Sequence, residues 1–241
     1  MILVCAATGT EAAACRRGIA DACASGFEVL KTGVGTEPAA LALRRWLGAR
    51  AGGATPTSPR RPALVVSSGF AGALSSDIAP LAWVTASSVH RLVDGRTLPV
   101  VLPGGLIRVA ERATACHVIS TDQVLGHGVA GLADPAAVDM ESAGLAEAAA
   151  EAGIPFLVLR LVTDTPARPM ASLGRSLASA LAAHGVASRT TQGLRAALDA
   201  ARSPMHALAF VRESLGWCDR LRAGWCDHAR RGVPCAPWAP G

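Results

Sequence analysis

Short apolar runs alternate with segments whose apolar positions recur at helical spacing over the first 188 residues. This alternation is typical of an α/β fold, in which helices connect the strands of a largely parallel sheet. We therefore predict a three-layer αβα architecture with a mixed, mainly parallel central sheet and a helical C-terminal extension. The predicted strands are Met1 to Ala7, Phe27 to Thr32, Ala63 to Ser67, Leu81 to Ala86, Thr97 to Leu102, Cys116 to Ser120 and Phe156 to Thr163. The predicted helices are Glu11 to Ala24, Pro38 to Arg50, Val138 to Ala152 and Ser172 to His184.

The pattern becomes wholly helical beyond Arg189, with a break at Ser203 and Pro204 and a second helix to about Arg222. We expect a main domain over residues 1–188, a helical extension over 189–228 and a disordered tail over 229–241. The tail is rich in Pro and Gly, which is typical of a disordered or surface-bound segment. An apolar stripe with interleaved arginines runs along the last helix. Packing on the core is the favoured interpretation of the stripe, and contact with a membrane surface or a dimer interface is the alternative. Its members are Leu208, Phe210, Leu215 and Trp217.

Composition narrows the class of protein. The chain is 51% hydrophobic and 17% charged, and its net charge of +5 is spread without a block of like charges. These features argue against a nucleic-acid partner. The seven cysteines are an odd number without the Cys-x2-Cys spacing of a zinc site. We therefore expect a reduced, cytoplasmic protein without a metal site or cofactor.

Two carboxylates occupy positions that the predicted fold brings together. Glu141 lies in the segment Val138 to Ser142, where a helix is expected to begin, and Asp164 ends the strand that follows, 23 residues later. Ligands of open α/β sheets bind at the carboxyl ends of the strands, so both acids should share one rim. Two acids placed there can divide the tasks of holding a sugar and protonating a leaving group.

Four segments in this order resemble the nucleoside phosphorylase/nucleosidase superfamily, which includes methylthioadenosine/S-adenosylhomocysteine nucleosidase and futalosine hydrolase. They are Ala6 to Glu11, Thr32 to Gly35, Ser67 to Leu74, and Val138 to Ser142 with Thr163 and Asp164. The form Val-Asp-Met-Glu-Ser, together with the helical tail, is most similar to the hopanoid-biosynthesis branch. Members of that branch resemble purine nucleosidases that remove adenine from adenosylhopane.

The resemblance implies an enzyme that cleaves the N-ribosidic bond of a 5′-substituted purine nucleoside, and it assigns roles to particular residues. Asp164 would protonate the departing purine, and Glu11 would activate water. Glu141 would accept hydrogen bonds from the ribose hydroxyls while Met140 lies under the ribose. Gly72, like the neighbouring Gly69, would let the backbone approach the ligand closely. Structural alternatives stay open, with Asp164 as a cap and Glu141 as a solvated acid at a helix start.

The base-binding side of the expected site departs from the family pattern. Adenine-specific members usually carry a stacking aromatic after the strand that ends at Ser120, whereas this chain has Thr121-Asp122-Gln123-Val124-Leu125. Asp122 or Gln123 could read the edges of the base, and Phe70 or Phe156 could stack on it from another direction.

Water is favoured over phosphate as the nucleophile. Phosphorylases of the family tend to carry Gly-Asp-Pro-x-Arg near the first strand, whereas this chain has Gly9-Thr10-Glu11-Ala12, and a buried carboxylate repels phosphate. Arg16 and Arg17 keep a phosphate-dependent phosphorylase open as the second interpretation. Futalosine or methylthioadenosine/S-adenosylhomocysteine hydrolysis and a non-catalytic nucleoside-binding protein are the others. The resemblance also implies a homodimer.

Overall fold

The computed structural model describes residues 1–51, 61–103, 105–107, 113–122, 135–169 and 204–233. The strands are β1 Ile2–Ala6, β2 Phe27–Lys31, β3 Leu64–Ala73, β4 Trp83–Val93, β5 Arg96–Pro99, β6 Leu106–Ile107, β7 Thr114–Ser120, β8 Ala136–Asp139 and β9 Phe156–Asp164. The helices are α1 Gly9–Asp21, α2 Thr36–Ala51, α3 Ser142–Glu151 and α4 Pro204–Arg231. The predicted helix Ser172 to His184 lies outside the described residues.

The strands form one mixed, mainly parallel sheet, as predicted. Parallel pairs join β1 to β2 and β3, β9 to β3 and β6, and β7 to β4 and β8. Antiparallel pairs join β3 to β8, and β4 to β5 and β9. Because β3 pairs with both β8 and β9, the strands β3, β8, β7, β4 and β9 close into a ring. The C-terminal half of β3 therefore lies between the two segments that carry the predicted acids.

Two apolar cores lie on opposite faces of the sheet and confirm the three-layer architecture. One core contains Leu43 of α2 and Leu145 of α3 against Val158 of β9. The other contains Ile19 of α1 and Trp225 of α4 against Leu159 of β9. Alternate residues of β9 face opposite cores, as the two-residue repeat of a strand requires. This burial on both faces explains why the strand is almost continuously apolar in sequence.

Two predicted element boundaries were wrong near the expected site. The predicted helix from Val138 begins only at Ser142, because residues 136–139 pair as β8 with both β7 and β3. The predicted strand ending at Ser67 instead continues to Ala73, through the segment expected to be a glycine turn. Its glycines remain in the ladder because β9 pairs with β3 as far as Gly72. The glycines suggested a turn in the sequence. In the structure they are strand residues at which a neighbouring element approaches closely.

Helix α4 is an integral part of the second core. Trp225 is fully buried and its indole N–H donates to Ser68 Oγ on β3 over 2.8 Å. The helix continues to Arg231, beyond the predicted end near Arg222 and into the stretch assigned to the tail, where Ala229 and Val233 are buried. The proposed division into domain, extension and tail stays a prediction. In the part of the chain that the structure describes, no helix is long and apolar enough to cross a bilayer.

We expect Gly18→Ala to destabilise the protein by about 1–3 kcal/mol, the usual cost of overpacking. A β-carbon at Gly18 would lie 2.3 Å from the carbonyl oxygen of Arg222, so α1 and α4 would have to separate. Gly48→Ala is the matched control, because its β-carbon would meet nothing within 4 Å on the exposed side of α2. Urea denaturation should show a loss for Gly18→Ala and a small gain for Gly48→Ala. Equal effects would contradict the close helix contact.

Candidate active site

Glu11 lies in the first turn of α1 with its carboxylate buried against the end of β3. Thr8 is the N-cap, and both its N–H and its hydroxyl donate to Glu11 Oε2, over 2.8 and 2.6 Å. The other oxygen, Oε1, accepts the N–H of Phe70 over 3.1 Å. A carboxylate has about four acceptor positions, so Oε1 keeps one for a further donor.

Gly69 provides the space beside that free acceptor position. A β-carbon at Gly69 would lie 2.4 Å from Glu11 Oε1 and 3.3 Å from Arg160 Nη1. The backbone φ of Gly69 is 135°, a conformation that residues with a side chain rarely adopt. The groups that the backbone approaches at Gly69 are Glu11 and Arg160, and its predicted approach to a ligand stays a prediction.

Glu141 is the N-cap residue of α3, one position before the helical turn where it was expected, and its side chain does not cap the helix. The carboxylate is buried and points away toward β9 and the loop after β2. Its Oε2 lies 3.0 Å from Arg160 Nη1, and its Oε1 accepts the N–H of Gly35 over 3.3 Å. The solvated-acid alternative for Glu141 is therefore wrong.

Arg160 is a buried cation that the sequence analysis did not identify. It interrupts the apolar strand β9, is 1% exposed, and lies among three acids. Its Nε is 2.8 Å from Asp139 Oδ2, a charge contact without the alignment of a hydrogen bond. Its Nη1 also donates to the carbonyl of Phe70, which directly follows Gly69. A single guanidinium thus faces Asp139 and Glu141 directly and Glu11 across Gly69.

Burial and the surrounding charges together set the protonation of Glu141. Burial, the largest influence, raises the pKa of Glu141 to about 7; Arg160 and the Gly35 N–H oppose the rise, and the charges of Asp139 and Glu11 add to it. For Arg160 burial acts to lower the pKa, but the three carboxylates outweigh it and raise the pKa above its ordinary value. The cation therefore stays charged while Glu141 exchanges its proton near neutral pH.

We expect the stability of the wild type to fall, relative to Glu141→Gln, as pH rises from about 4.5 to about 7. Over that range unfolded Glu141 is ionised while folded Glu141 still holds its proton, so raising the pH favours unfolding. The difference in free energy of unfolding should change by about 3 kcal/mol. Urea denaturation at several pH values measures it. Parallel stability curves for the two proteins would show that Glu141 is not the titrating group.

Asp164 ends β9, half-buried beside Gly72. Its Oδ1 accepts the hydroxyl of Thr163 over 3.0 Å. A β-carbon at Gly72 would lie 2.7 Å from Asp164 Oδ2 and 3.3 Å from a methyl group of Val138. Gly72 pairs with Val138 on one side and Asp164 on the other. The glycine thus lets the strand that leads to Glu141 and the strand that ends at Asp164 both approach β3.

These contacts order the acids along β3. Glu11 and Arg160 lie beside Gly69, whereas Asp164 lies beside Gly72. Three residues of a strand span about 10 Å, which is the scale of a nucleoside. The predicted acids Glu11, Glu141 and Asp164 therefore surround one strand end.

The other predicted site residues differ in how well they are placed. Met140 is half-buried, and its carbonyl accepts the Thr36 hydroxyl over 3.3 Å. Asp122 is exposed and accepts the N–H of Thr36 over 3.0 Å, so it lies near the Glu141 side of the site. Gln123 lies outside the described residues. Phe156 was wrongly considered for stacking, because it is fully buried in a core at the opposite end of β9.

Phe70 is the aromatic residue that β3 brings to the acids. It is half-buried, and its ring packs edge-on against Trp217 of α4, with centroids 6.0 Å apart. Phe210 also packs edge-on against Trp217, with centroids 5.9 Å apart. The helix is also joined to the chain beyond Asp164 by an ion pair between Arg168 and Glu213. Helix α4 therefore contacts both Phe70 of β3 and the segment that follows β9.

Comparison with known proteins bears on the fold. A family model, the phosphorylase superfamily, matches residues 129–199, a range that includes Glu141 and Asp164. No curated protein matches in sequence. Methylthioadenosine/S-adenosylhomocysteine nucleosidase from Helicobacter pylori, solved with butyl-thio-DADMe-Immucillin-A, is similar in structure. Its TM-score is 0.54 at 14% identity, covering 82% of this chain and 97% of that one. The chain has the fold of the nucleoside phosphorylase superfamily.

Two further nucleosidase structures share this nucleoside phosphorylase fold. The enzyme from Streptococcus pyogenes, in complex with 5-methylthiotubericidin, has a TM-score of 0.52 at 16% identity, covering 69% of this chain and 85% of that one. The enzyme from Colwellia psychrerythraea, in complex with adenine, has a TM-score of 0.50 at 17% identity, covering 68% and 82% respectively. At these identities the likeness establishes the fold alone.

Proposed function

We propose that this protein is a purine nucleosidase that hydrolyses the N-ribosidic bond of a 5′-substituted nucleoside. The observation that carries the proposal is the placement of Glu11, Glu141 and Asp164 around the last residues of β3. Each is held by different partners, so the three acids are suited to different tasks. The nucleoside phosphorylase fold and the nucleosidases that share it support the same chemistry.

The three acids divide the reaction between them. Glu141 accepts hydrogen bonds from the ribose hydroxyls, which favours positive charge at the anomeric carbon in the oxocarbenium-like transition state. Asp164 donates a proton to the departing purine, which otherwise gathers negative charge. Glu11 Oε1, with its unused acceptor position beside Gly69, orients and deprotonates water. Met140 and Gly72 line the ribose, and Asp122 lies toward the base.

Hydrolysis is preferred over phosphorolysis on electrostatic grounds. A phosphate dianion near Glu11 would need cations to offset the carboxylates around it. Arg160 already lies against Asp139 and Glu141. Arg16 and Arg17 are exposed, and Arg16 donates to the carbonyl of Val29 on β2. Arg16 is therefore directed away from the acids, Arg17 is solvent-exposed, and water is the nucleophile that this arrangement favours.

The 5′-substituent that we propose is large and apolar, as in adenosylhopane. The rings of Phe70, Trp217 and Phe210 form a continuous aromatic cluster beside the backbone that contacts Glu11 and Arg160. Such a surface favours an apolar group over the charged tail of S-adenosylhomocysteine. Methylthioadenosine, S-adenosylhomocysteine and futalosine are the alternative substrates.

Product analysis tests the function directly. Purified protein would be incubated with methylthioadenosine, S-adenosylhomocysteine, futalosine, inosine and a 5′-alkyl adenosine analogue, each with and without phosphate. We expect free base and the free sugar, fastest from the alkyl analogue and independent of phosphate. Formation of ribose 1-phosphate derivatives only with phosphate would establish a phosphorylase. Ligand binding without turnover of any substrate would establish a nucleoside-binding protein.

The proposal includes a homodimer. Leu41 of α2 and Leu98 and Val101 in and after β5 are large apolar side chains that are 45%, 51% and 76% exposed. Burying them against a second copy would remove apolar surface from water. Light scattering of the purified protein measures the molar mass, and a monomer at micromolar concentration would contradict the dimer.

The proposal also includes peripheral membrane contact through α4. The apolar stripe of this helix divides in the structure: Trp217 packs against both Phe70 and Phe210, whereas Leu208, Val211 and Leu215 are 63%, 52% and 62% exposed. These exposed aliphatic residues are suited to contact a membrane that contains a lipid-tailed substrate. Vesicle flotation tests this contact, and protein that stays with the unbound fraction would contradict it. The free cysteines of the described segments support a cytoplasmic location.

A further inference from the structure

Asp139 is a buried acid with no role in the reaction as proposed. It is 4% exposed and lies at the end of β8, two residues before Glu141. Its Oδ1 accepts the hydroxyl of Ser120 over 2.5 Å and the N–H of Ser142 over 3.2 Å. Its Oδ2 contacts the hydroxyl of Ser142 and lies 2.8 Å from Arg160 Nε. Protein groups thus surround both oxygens, and Asp139 is directed at Arg160, not toward a ligand.

The guanidinium of Arg160 is held on several sides at once. Asp139 faces Nε, Ser67 Oγ accepts from Nη2 over 2.8 Å, and Glu141 and the Phe70 carbonyl face Nη1. Because a guanidinium is planar and its donors form a fixed fork, fixing Nε determines the direction of Nη1. The position of Asp139 therefore decides how Arg160 meets Glu141.

We propose that Asp139 is a positioning residue that orients Arg160 and, through it, keeps the Glu141 carboxylate available to the ribose hydroxyls. The role of Glu141 in this inference rests on the proposed function. Because Arg160 interacts with two carboxylates, its interaction with Glu141 is weaker than it would be in an exclusive ion pair, and the Glu141 carboxylate can still accept hydrogen bonds from the ribose. If Asp139 lost its charge, Arg160 would pair with Glu141 alone and compete with the substrate for it.

The charges around Glu141 predict how this change would appear in a pH profile. The groups that face Glu141 are Arg160 of β9, Asp139 of β8, Glu11 of α1 and the Gly35 N–H. Asp139 opposes ionisation of Glu141, whereas Arg160 favours it. Asp139→Asn removes the opposing charge and strengthens the favourable one. Both changes lower the pH at which Glu141 loses its proton.

We expect Asp139→Asn to lower kcat/KM by about tenfold, mostly through KM, and to move the acidic limb of the kcat/KM profile about one pH unit lower. Ser120→Ala is the matched control, because it removes a donor to the same carboxylate without changing charge. The control should leave the acidic limb in place. If Asp139→Asn lowers activity with an unmoved limb, Asp139 has only a structural role and the inference is wrong.

A second measurement needs no turnover and separates this inference from the proposed function. The difference in stability between proteins with and without Glu141→Gln would be followed against pH in the wild-type and Asp139→Asn backgrounds. The Glu141-linked transition should lie at lower pH in the Asp139→Asn background. If the Glu141-linked transition shifts but the protein cleaves no nucleoside, the proposed nucleosidase function is wrong and the coupling of Asp139 to Glu141 is supported. No shift in an active enzyme would refute the coupling.

Discussion

Asp164→Asn is expected to reduce kcat on the best nucleoside substrate by about a hundred- to ten-thousandfold, the range for loss of a general acid. The amide has nearly the shape of the carboxyl and can still accept the hydroxyl of Thr163, which donates to Asp164 Oδ1 in the structure. It has no acidic proton to give to the departing base. Substrate should therefore bind with a KM within a few fold of the wild-type value, and the loss should appear in the chemical step.

Glu141→Gln is the comparison variant and Asp94→Asn is the control in this experiment. Glu141→Gln should raise KM as well as lower kcat, because the residue is proposed to hold the ribose from the ground state onward. Asp94 lies in the exposed turn between β4 and β5 and has a positive φ that Asn also tolerates, so Asp94→Asn should keep full activity. Single-turnover measurements isolate bond cleavage from product release. If Asp164→Asn retains turnover within tenfold of wild type, Asp164 is not the acid.

The fold was largely predictable because its signals are local. The apolar run Phe156 to Thr163 lies between two cores, and the Thr8–Glu11 capping box at the start of α1 is plain in sequence. What could not be predicted is the closure of the ring. The two-residue ladder between Gly72–Ala73 and Val138–Ala137 depends on where distant segments meet. Together with the longer pairing of residues 136–139 with β7, that ladder forms β8 where a helix start was expected.

The acids of the candidate site could be anticipated, whereas the cation that joins them was missed. Glu11, Glu141 and Asp164 stand in segments that resemble a known family. Arg160 was nevertheless detectable in the sequence. A charged residue in the middle of an apolar strand is almost never buried without partners. The identity of its partners, Asp139 and Glu141, follows only from the pairing of β3 with both β8 and β9.

Arg160→Met is expected to destabilise the protein at pH 8 by about 3–5 kcal/mol, the usual result of removing one partner from a buried ion pair. Methionine fills much of the same volume, so the cost is mainly electrostatic. Asp139, Glu141 and Glu11 would remain buried without the cation that now faces them. Since protonation relieves that repulsion, the destabilisation should shrink as pH falls toward 5. If the variant does not fold at pH 8, its free energy of unfolding at pH 5 still shows whether the destabilisation shrinks as the acids become protonated.

Arg44→Met is the matched control, since Arg44 pairs with Glu151 on the surface at 2.7 Å with side chains 38% and 57% exposed. Its loss should cost less than about 1 kcal/mol and should depend little on pH in this range. Combining Arg160→Met with Glu141→Gln should recover part of the stability, because one of the unpaired acids is then neutral. Urea denaturation of the four proteins at pH 5 and pH 8 completes the comparison. A destabilisation by Arg160→Met that is equal at both pH values, with no recovery in the double variant, would mean that Arg160 contributes packing and not charge, and the shared-cation account of the site would fail.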